Sequence, residues 1–196
     1  MLKLLNSYQL ILASGSPRRR ELLSEIGLKF SVIPSNEPED QIDGESPKEL
    51  VERLAALKAN SIAEKHQDSW IIGADTIVVH SGTILGKPSD KVHAQRMLSQ
   101  LQGSTHEVWT GLAVINYSKK SKTVNSSCSQ VTMIPLREKQ IESYIETGEP
   151  MDKAGSYAIQ GVGAHLVSKV VGSYSSVVGL DIALTVSILR DLGVVE

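Results

Sequence analysis

The sequence predicts an α/β fold built on a mixed sheet, and three observations carry that prediction. Apolar β-rich runs alternate with capped helix signatures through the first half of the chain. A strand-rich section follows in the middle, and helical periodicity returns at the end. Alternation of that kind builds parallel pairs through helical crossovers, while the adjacent central strands add antiparallel ones.

Taken in order, Leu10-Ile11-Leu12 reads as a short buried strand and Ala13-Ser14-Gly15-Ser16 as a tight turn. Ser16 stands at a helix N-cap, and Pro17 at the first helical position, where a missing N–H costs nothing. The helix runs through Leu22, Leu23 and Ile26 and stops at Gly27. A second helix opens at Ser46-Pro47-Lys48-Glu49, a capping box with Pro in register, and continues on Leu50, Leu54 and Leu57 to about Lys65. Trp70 to Val79 is a β-branched strand interrupted by one acid, Asp75. A third helix fits Asp90 to Leu101, ahead of Gly103. Strands follow at Val108 to Ile115 and Thr123 to Ile134, joined by a polar turn at Ser118 to Lys122. A fourth helix fits Glu138 to Glu146, ahead of Gly148. Strands at Tyr157 to Gln160 and His165 to Val171 come next, and a helix from Asp181 to Leu192 closes the chain. Loops bearing Glu37, Glu39, Lys87 and Gln160 are expected to gather around a cleft.

Composition narrows the function. The 196 residues fit one domain or one two-lobed unit, and 41% hydrophobic residues suffice for a core. A formal net charge of −2 argues against a general binder of nucleic acid or of anionic membranes. The single cysteine, Cys128, excludes an intrachain disulfide and a cysteine zinc site, and the five histidines show no metal-ligand spacing. Met1 to Leu5 faintly resembles a leader, but Asn6, Ser7, Tyr8 and Gln9 interrupt it. No stretch approaches the roughly 20 apolar residues that span a bilayer. The expectation is a soluble cytoplasmic protein.

The first chemical signal is the turn into the first helix. A helix start offers unpaired N–H groups and a partial positive charge, and so binds anions. Arg18, Arg19 and Arg20 repel that charge unless a polyanion sits there. A basic first turn is ordinarily a solvated face; the buried strand, Ser-Gly-Ser turn and Pro17 beside it point instead to a phosphate-rich ligand. Neither G-x-x-x-x-G-K-[ST] nor G-x-G-x-x-G occurs. The second signal is Asp75 within Ile71-Ile72-Gly73-Ala74-Asp75-Thr76-Ile77-Val78-Val79. A carboxylate in an apolar strand must face a polar site or be compensated, and Gly73 admits a close neighbour. D-x-D-x-T, the pattern of an aspartyl nucleophile, is not met. The third and fourth signals are Gly86-Lys87-Pro88, which presents an ammonium from a stiffened turn, and Glu149 to Gly161, where the Gln160 amide can read a base edge. Read alone, Lys87 fits a surface loop at least as well, and a lone Gln such as Gln160 is more often simply a satisfied polar group. Any metal is expected on carboxylates and phosphate oxygens, which suits Mg²⁺ or Mn²⁺.

Together these segments resemble the Maf family of nucleoside triphosphate pyrophosphatases. Leu12 to Arg19, Gly73-Ala74-Asp75-Thr76, Gly86-Lys87-Pro88 and Glu149 to Gly161 carry the likeness. Gly172-Ser173-Tyr174 and Val177-Val178-Gly179-Leu180 extend it across nearly the whole chain in order. The resemblance implies an elongated mixed sheet flanked by helices, two lobes with a central cleft, and residues 1–196 acting as a single such domain. It implies hydrolysis of a nucleoside triphosphate to monophosphate and pyrophosphate with a divalent metal. By that likeness Asp75 is the proton acceptor, and Arg18, Arg19, Lys58 and Lys87 contact phosphates, with Ser14 and Ser16 in the same turn. Glu39 is the metal-associated acid; where the family often has two adjacent acids, this chain has Glu37 and Glu39 separated by Pro38.

Thr76 and Ile159-Gln160-Gly161 are similar to the subgroup acting on dTTP and UTP. The subgroup acting on 7-methyl-GTP has Gln and Ser-Glu-Gly at those places. Arg18, Thr76 and Gln160 are therefore carried over as base-selective. Ser175 stands where the family frequently has His, and Asp181 where it frequently has Pro. The family often forms homodimers, although no apolar stripe in this sequence demands one. The alternatives are a nucleotide-sensing regulator of cell division that needs neither Asp75 nor metal, and a nucleic-acid binder using Arg18 to Arg20. The net charge weighs against the latter.

Overall fold

The computed structural model describes residues 2–6 and 8–196; Met1 and Ser7, both in the opening segment weighed above as a leader, lie outside them. The elements in chain order are β1 (Leu10–Leu12), α1 (Pro17–Glu25), β2 (Ser31–Val32), α2 (Pro47–Ala63), β3 (Trp70–His80), β4 (Thr83–Leu85), α3 (Lys91–Leu101) and β5 (Thr105–Asn116). Then come β6 (Ser121–Met133), α4 (Glu138–Glu146), β7 (Val167–Val171), α5 (Tyr174–Val178) and α6 (Ile182–Asp191). Seven strands form one mixed sheet in the order β2-β1-β3-β5-β6-β7, with β4 paired to β3. β1 lies parallel to both β2 and β3, with Leu10 opposite Trp70 and Leu12 opposite Ile72. That pairing explains its uninterrupted apolar run, because a parallel strand is covered on both faces. β3 and β4 form an antiparallel hairpin, and β6 and β7 pair antiparallel with a bulge at Thr132/Met133. The α/β class with a mixed sheet and flanking helices is thus borne out.

By contacts the chain divides into two compact units. The first comprises Met1–Asp75, Thr110–Ser127 and Gly179–Glu196; the second, Thr76–Trp109 and Cys128–Val178. In the first, Ala55, Ala56, Ala59 and Ala63 of α2 pack with Ile11, Ile71, Ala113 and Ile115 of the sheet. Small residues on both sides let helix and sheet approach closely. A Cβ at Gly73 would lie 2.3 Å from the Ala55 carbonyl oxygen, and one at Gly111 would lie 2.0 Å from that of Val51. Ser46 caps α2 through a complete capping box with Glu49. Asp181, in place of the family's frequent Pro, caps α6 by accepting from the Leu184 N–H at 3.1 Å.

The second unit is built on Met97, Leu98 and Leu101 of α3 and Ile141, Tyr144 and Ile145 of α4, packed with Val108, Val131, Tyr157 and Leu166. Here one expectation fails. Residues 157–160 form no strand; they link short 3₁₀ turns at Ala154–Ser156 and Gly161–Leu166, and β7 begins only at Val167. Gly155 (φ 67°), Ser156 (φ 59°) and Gly161 (φ 69°) adopt left-handed conformations that break any extended run. Among the described residues no helix is long and apolar enough to cross a membrane.

Buried His106 meets the Tyr157 hydroxyl through Nε2 at 2.7 Å, while its Nδ1 has no partner. Burial, with the His80 charge adding, pushes its pKa down to about 4. The unfolded chain takes up this proton near pH 6.5, so between about 6.5 and 4 it binds a proton that the native state refuses. Stability therefore falls as pH drops through that window, by about 3 kcal/mol from this group. Urea midpoints at pH 7 and pH 4 should differ less for His106→Gln than for the unmodified chain. Equal differences would remove His106 as the source.

Candidate active site

In the first unit, the chain leaves β1 into the turn Ser14-Gly15-Ser16 and enters α1 at Pro17. Ser16 occupies the N-cap position, but its side chain makes no capping bond, so the hydroxyl is not consumed by the helix it opens. Ser14 is buried, and its Oγ accepts from the Ser16 N–H at 3.3 Å and from Arg19 Nη1 at 3.0 Å. Arg19 Nε donates to the Gly179 carbonyl at 2.7 Å. The Arg19 guanidinium is thus fixed from two sides. Burial pushes its pKa below the ordinary arginine value; Asp75 and Glu39 oppose that shift, and Arg18 adds to it. Two neighbouring guanidinium groups in a desolvated turn are stabilised by a bound anion. Arg18 Nε supports this directly: it is buried with no hydrogen-bond partner, and a buried donor left unpaired is costly.

The close approach of α2 to β3 produces the second part. Gly73 and Asp75 are two residues apart on a strand and so share one face. Gly73 is the position at which α2 touches that face, so Asp75 meets the helix at Lys58. Lys58 Nζ donates to Asp75 Oδ1 at 2.6 Å and to Glu39 Oε1 at 2.5 Å. Lys58 and Asp75 are 7% and 6% exposed, whereas the Glu39 side chain is 49% exposed. The acid in the apolar strand is therefore compensated by an equally buried ammonium, and an exposed loop carboxylate shares it. Of Glu37 and Glu39, it is Glu39 that meets Lys58.

The loop bearing Glu39 is held by Arg53, a residue that sequence reasoning missed. Arg53 grips Glu45 with Nε at 2.5 Å and Nη2 at 2.7 Å, and Nη2 also donates to the Asp40 carbonyl at 2.9 Å. These bonds hold the Glu45 carboxyl below its ordinary value and raise that of Arg53. Glu45 lies outside the helix, so no helical spacing links the two; only the folded loop does.

Among the described residues no three His, Cys, Asp or Glu side chains cluster to hold a metal alone. The donor set is instead two carboxylates, Asp75 and Glu39, brought together at the Lys58 ammonium. Mg²⁺-type ions are bound in this way, by one or two carboxylates plus substrate phosphates and water. The residues present therefore fit a divalent metal.

The second unit holds the remaining expected residues. Thr76 is half-buried at its first position, and Lys87 is exposed beside buried Pro88. The Gly155 N–H donates to the Gly86 carbonyl at 3.1 Å, so the Gly86-Lys87-Pro88 loop is tied to the Glu149–Gly161 segment. Gln160 is half-buried in that segment, next to Gly161. Ser175, in place of the frequent His, lies 3.2 Å from Ser173 through their hydroxyls.

Comparison with known proteins agrees with the resemblance read from the motifs. A protein from Geobacter sulfurreducens named dTTP/UTP pyrophosphatase is 46% identical over 185 residues, 94% of this chain and 97% of that one. Proteins of the same name from Geotalea uraniireducens and Halalkalibacterium halodurans are each 47% identical, over 95% and 92% of this chain and 96% and 94% of theirs. Among solved structures, the Staphylococcus aureus Ham1 protein aligns at TM-score 0.45 and 15% identity, over 64% of this chain and 71% of that one. The family described as Maf-like protein matches residues 9–192, and the chain belongs to that family.

Proposed function

We propose that this chain hydrolyses nucleoside triphosphates, dTTP and UTP preferred, to the monophosphate and pyrophosphate, with Asp75 as general base. The observation that carries this reading is the buried Asp75–Lys58 pair at 2.6 Å, shared with Glu39, in the same unit as the anion-ready Ser14–Arg19 turn. The relatives named dTTP/UTP pyrophosphatase supply the nucleotide class. A regulator that merely sensed nucleotide would need the arginines but not a buried acid–ammonium pair.

In the reaction, the oxygen of a water forms a bond to the α-phosphorus while the bond from that phosphorus to the bridging oxygen breaks. Pyrophosphate leaves with the electron pair, and Asp75 Oδ takes the proton of the attacking water. Glu39 and Asp75 would hold a divalent metal, Mg²⁺ or Mn²⁺, which neutralises phosphate charge and makes a nearby water more acidic. Arg18 and Arg19 bind phosphate oxygens, with Ser14 holding the Arg19 guanidinium in place and Ser16 lending its uncommitted hydroxyl. Lys58 fixes the direction of the Asp75 carboxylate and, with Lys87, offsets charge developing on the leaving group. Phosphoryl-type transfer needs chiefly positioning and charge neutralisation, so one base and several cations suffice. Arg18, Thr76 and Gln160 select the base. On this reading residues 1–196 act as one functional domain, in the cytoplasm where nucleoside triphosphates are drawn upon.

The test is a panel of dTTP, UTP, GTP, ATP and CTP with Mg²⁺ or Mn²⁺, followed by pyrophosphate release. Preferred turnover of dTTP and UTP is expected. Equal rates on purine triphosphates would defeat the assigned preference, and binding without turnover of any nucleotide would favour the regulator.

A further inference from the structure

We propose that Tyr144 and Glu149 are positioning residues for base selection: they clamp the loop that carries Gln160. The inference rests on the reading of Gln160 as a base contact.

Four hydrogen bonds bracket Gln160 on both sides. The Ala158 N–H donates to the Tyr144 hydroxyl oxygen at 3.0 Å, and that hydroxyl donates to Glu149 Oε2 at 2.8 Å. On the far side, the Val162 N–H donates to Glu149 Oε1 at 3.0 Å and the Gly163 N–H donates to Oε2 at 2.8 Å. One carboxylate thus accepts from three donors, and one buried hydroxyl relays it to the near side of the loop. The glycines make room for this. A Cβ on Gly161 would lie 2.2 Å from Glu149 Oε1, and one on Gly163 would lie 2.5 Å from the Tyr144 oxygen and 2.4 Å from the Ala158 carbonyl oxygen. Gly161 also sits at φ 69°, which side chains rarely adopt.

The clamp is anchored in the core. Tyr144 lies on α4 with its ring packed in the second unit's core, and Glu149 opens the next 3₁₀ turn. Each clamp bond to the loop lands on a backbone N–H, so the bonds fix the path of the chain and leave the Gln160 amide uncommitted. A side chain that discriminates between bases must be held to within a fraction of an ångström, and this loop has no strand ladder to hold it. Glu149 and Tyr144 take the place of that ladder.

A clamp serving stability alone would lower activity on every base equally when cut. A positioning clamp lowers discrimination. Tyr144→Phe keeps the ring in the core and deletes only the relay oxygen. In that variant kcat/KM for dTTP relative to GTP is expected to fall roughly tenfold, the worth of one or two hydrogen bonds, through KM for dTTP rather than kcat. Gln160→Ala is expected to lose the same discrimination, and the double variant no more than Gln160→Ala alone. Amide exchange at Val162 and Gly163 is expected to speed up in Tyr144→Phe and in Glu149→Gln.

An equal loss across all bases in Tyr144→Phe, with Gln160→Ala still relaxing selectivity, would overturn the clamp and leave Gln160 as the selector. Unchanged ratios in Gln160→Ala would overturn the Gln160 reading and the clamp with it. Unaltered exchange at both amides would overturn the clamp whatever the kinetics.

Discussion

Asp75→Asn should fold, bind nucleotide and lose roughly 10²–10⁴-fold in kcat, the range expected when a positioned general base is removed. The substitution is isosteric, and an Asn oxygen still accepts from Lys58. Lys58 keeps its second partner, Glu39, at 2.5 Å, so no buried cation is stranded and the cost to folding stays small. What disappears is a proton acceptor in an otherwise apolar strand. Turnover measured beside nucleotide affinity separates the two effects. Turnover close to that of the unmodified chain would take the catalytic role from Asp75.

Lys58→Met should strike stability as hard as the first variant strikes rate. Lys58 and Asp75 are both nearly inaccessible, with side chains 8% exposed each, so water does not replace the lost ammonium. Breaking one side of a buried pair costs about 3–5 kcal/mol, because the remaining charge is left uncompensated. Glu39, half in solvent, simply turns to water. A domain of ordinary stability, about 5–15 kcal/mol, would become marginal. The double variant Lys58→Met, Asp75→Asn should recover most of the loss, since it removes the stranded charge while restoring none of the activity. Urea denaturation of the four proteins closes that cycle. A loss below about 1 kcal/mol in the single variant would place the pair among solvated surface bridges.

Local chemistry made much of the fold legible. The capping box at Ser46 and Glu49, and Pro17 after Ser16, each act within one helical turn, and the corresponding helices start where those signals stand. β1 and β3 were readable because buried parallel pairing demands continuous apolar residues. β2 and β4, at two and three residues, are too short for periodicity to register. The segment 157–160 reads as a strand because Tyr157, Ala158 and Ile159 are apolar, yet it is held as a loop by Tyr144 and Glu149 from outside the segment.

The site divides along the same line. Arg18, Arg19 and Asp75 stood out because each violates a local expectation, a basic helix start or an acid in an apolar strand. Lys58 carries no such mark: it lies 17 residues from Asp75, in an amphipathic helix, and entered only through the family resemblance. Its pairing follows from Gly73, whose missing side chain lets α2 settle on β3. Arg53, Tyr144 and the task of Glu149 are wholly tertiary, since their partners come together only when loops close.

The most direct test is to turn over dTTP in oxygen-18 water with Mg²⁺ and identify both products and the position of the label. Attack at the α-phosphorus predicts labelled dTMP and unlabelled pyrophosphate. Label in the pyrophosphate would mean attack at the β-phosphorus, and dTDP with orthophosphate would mean that a different bond is cut; either result would contradict the account.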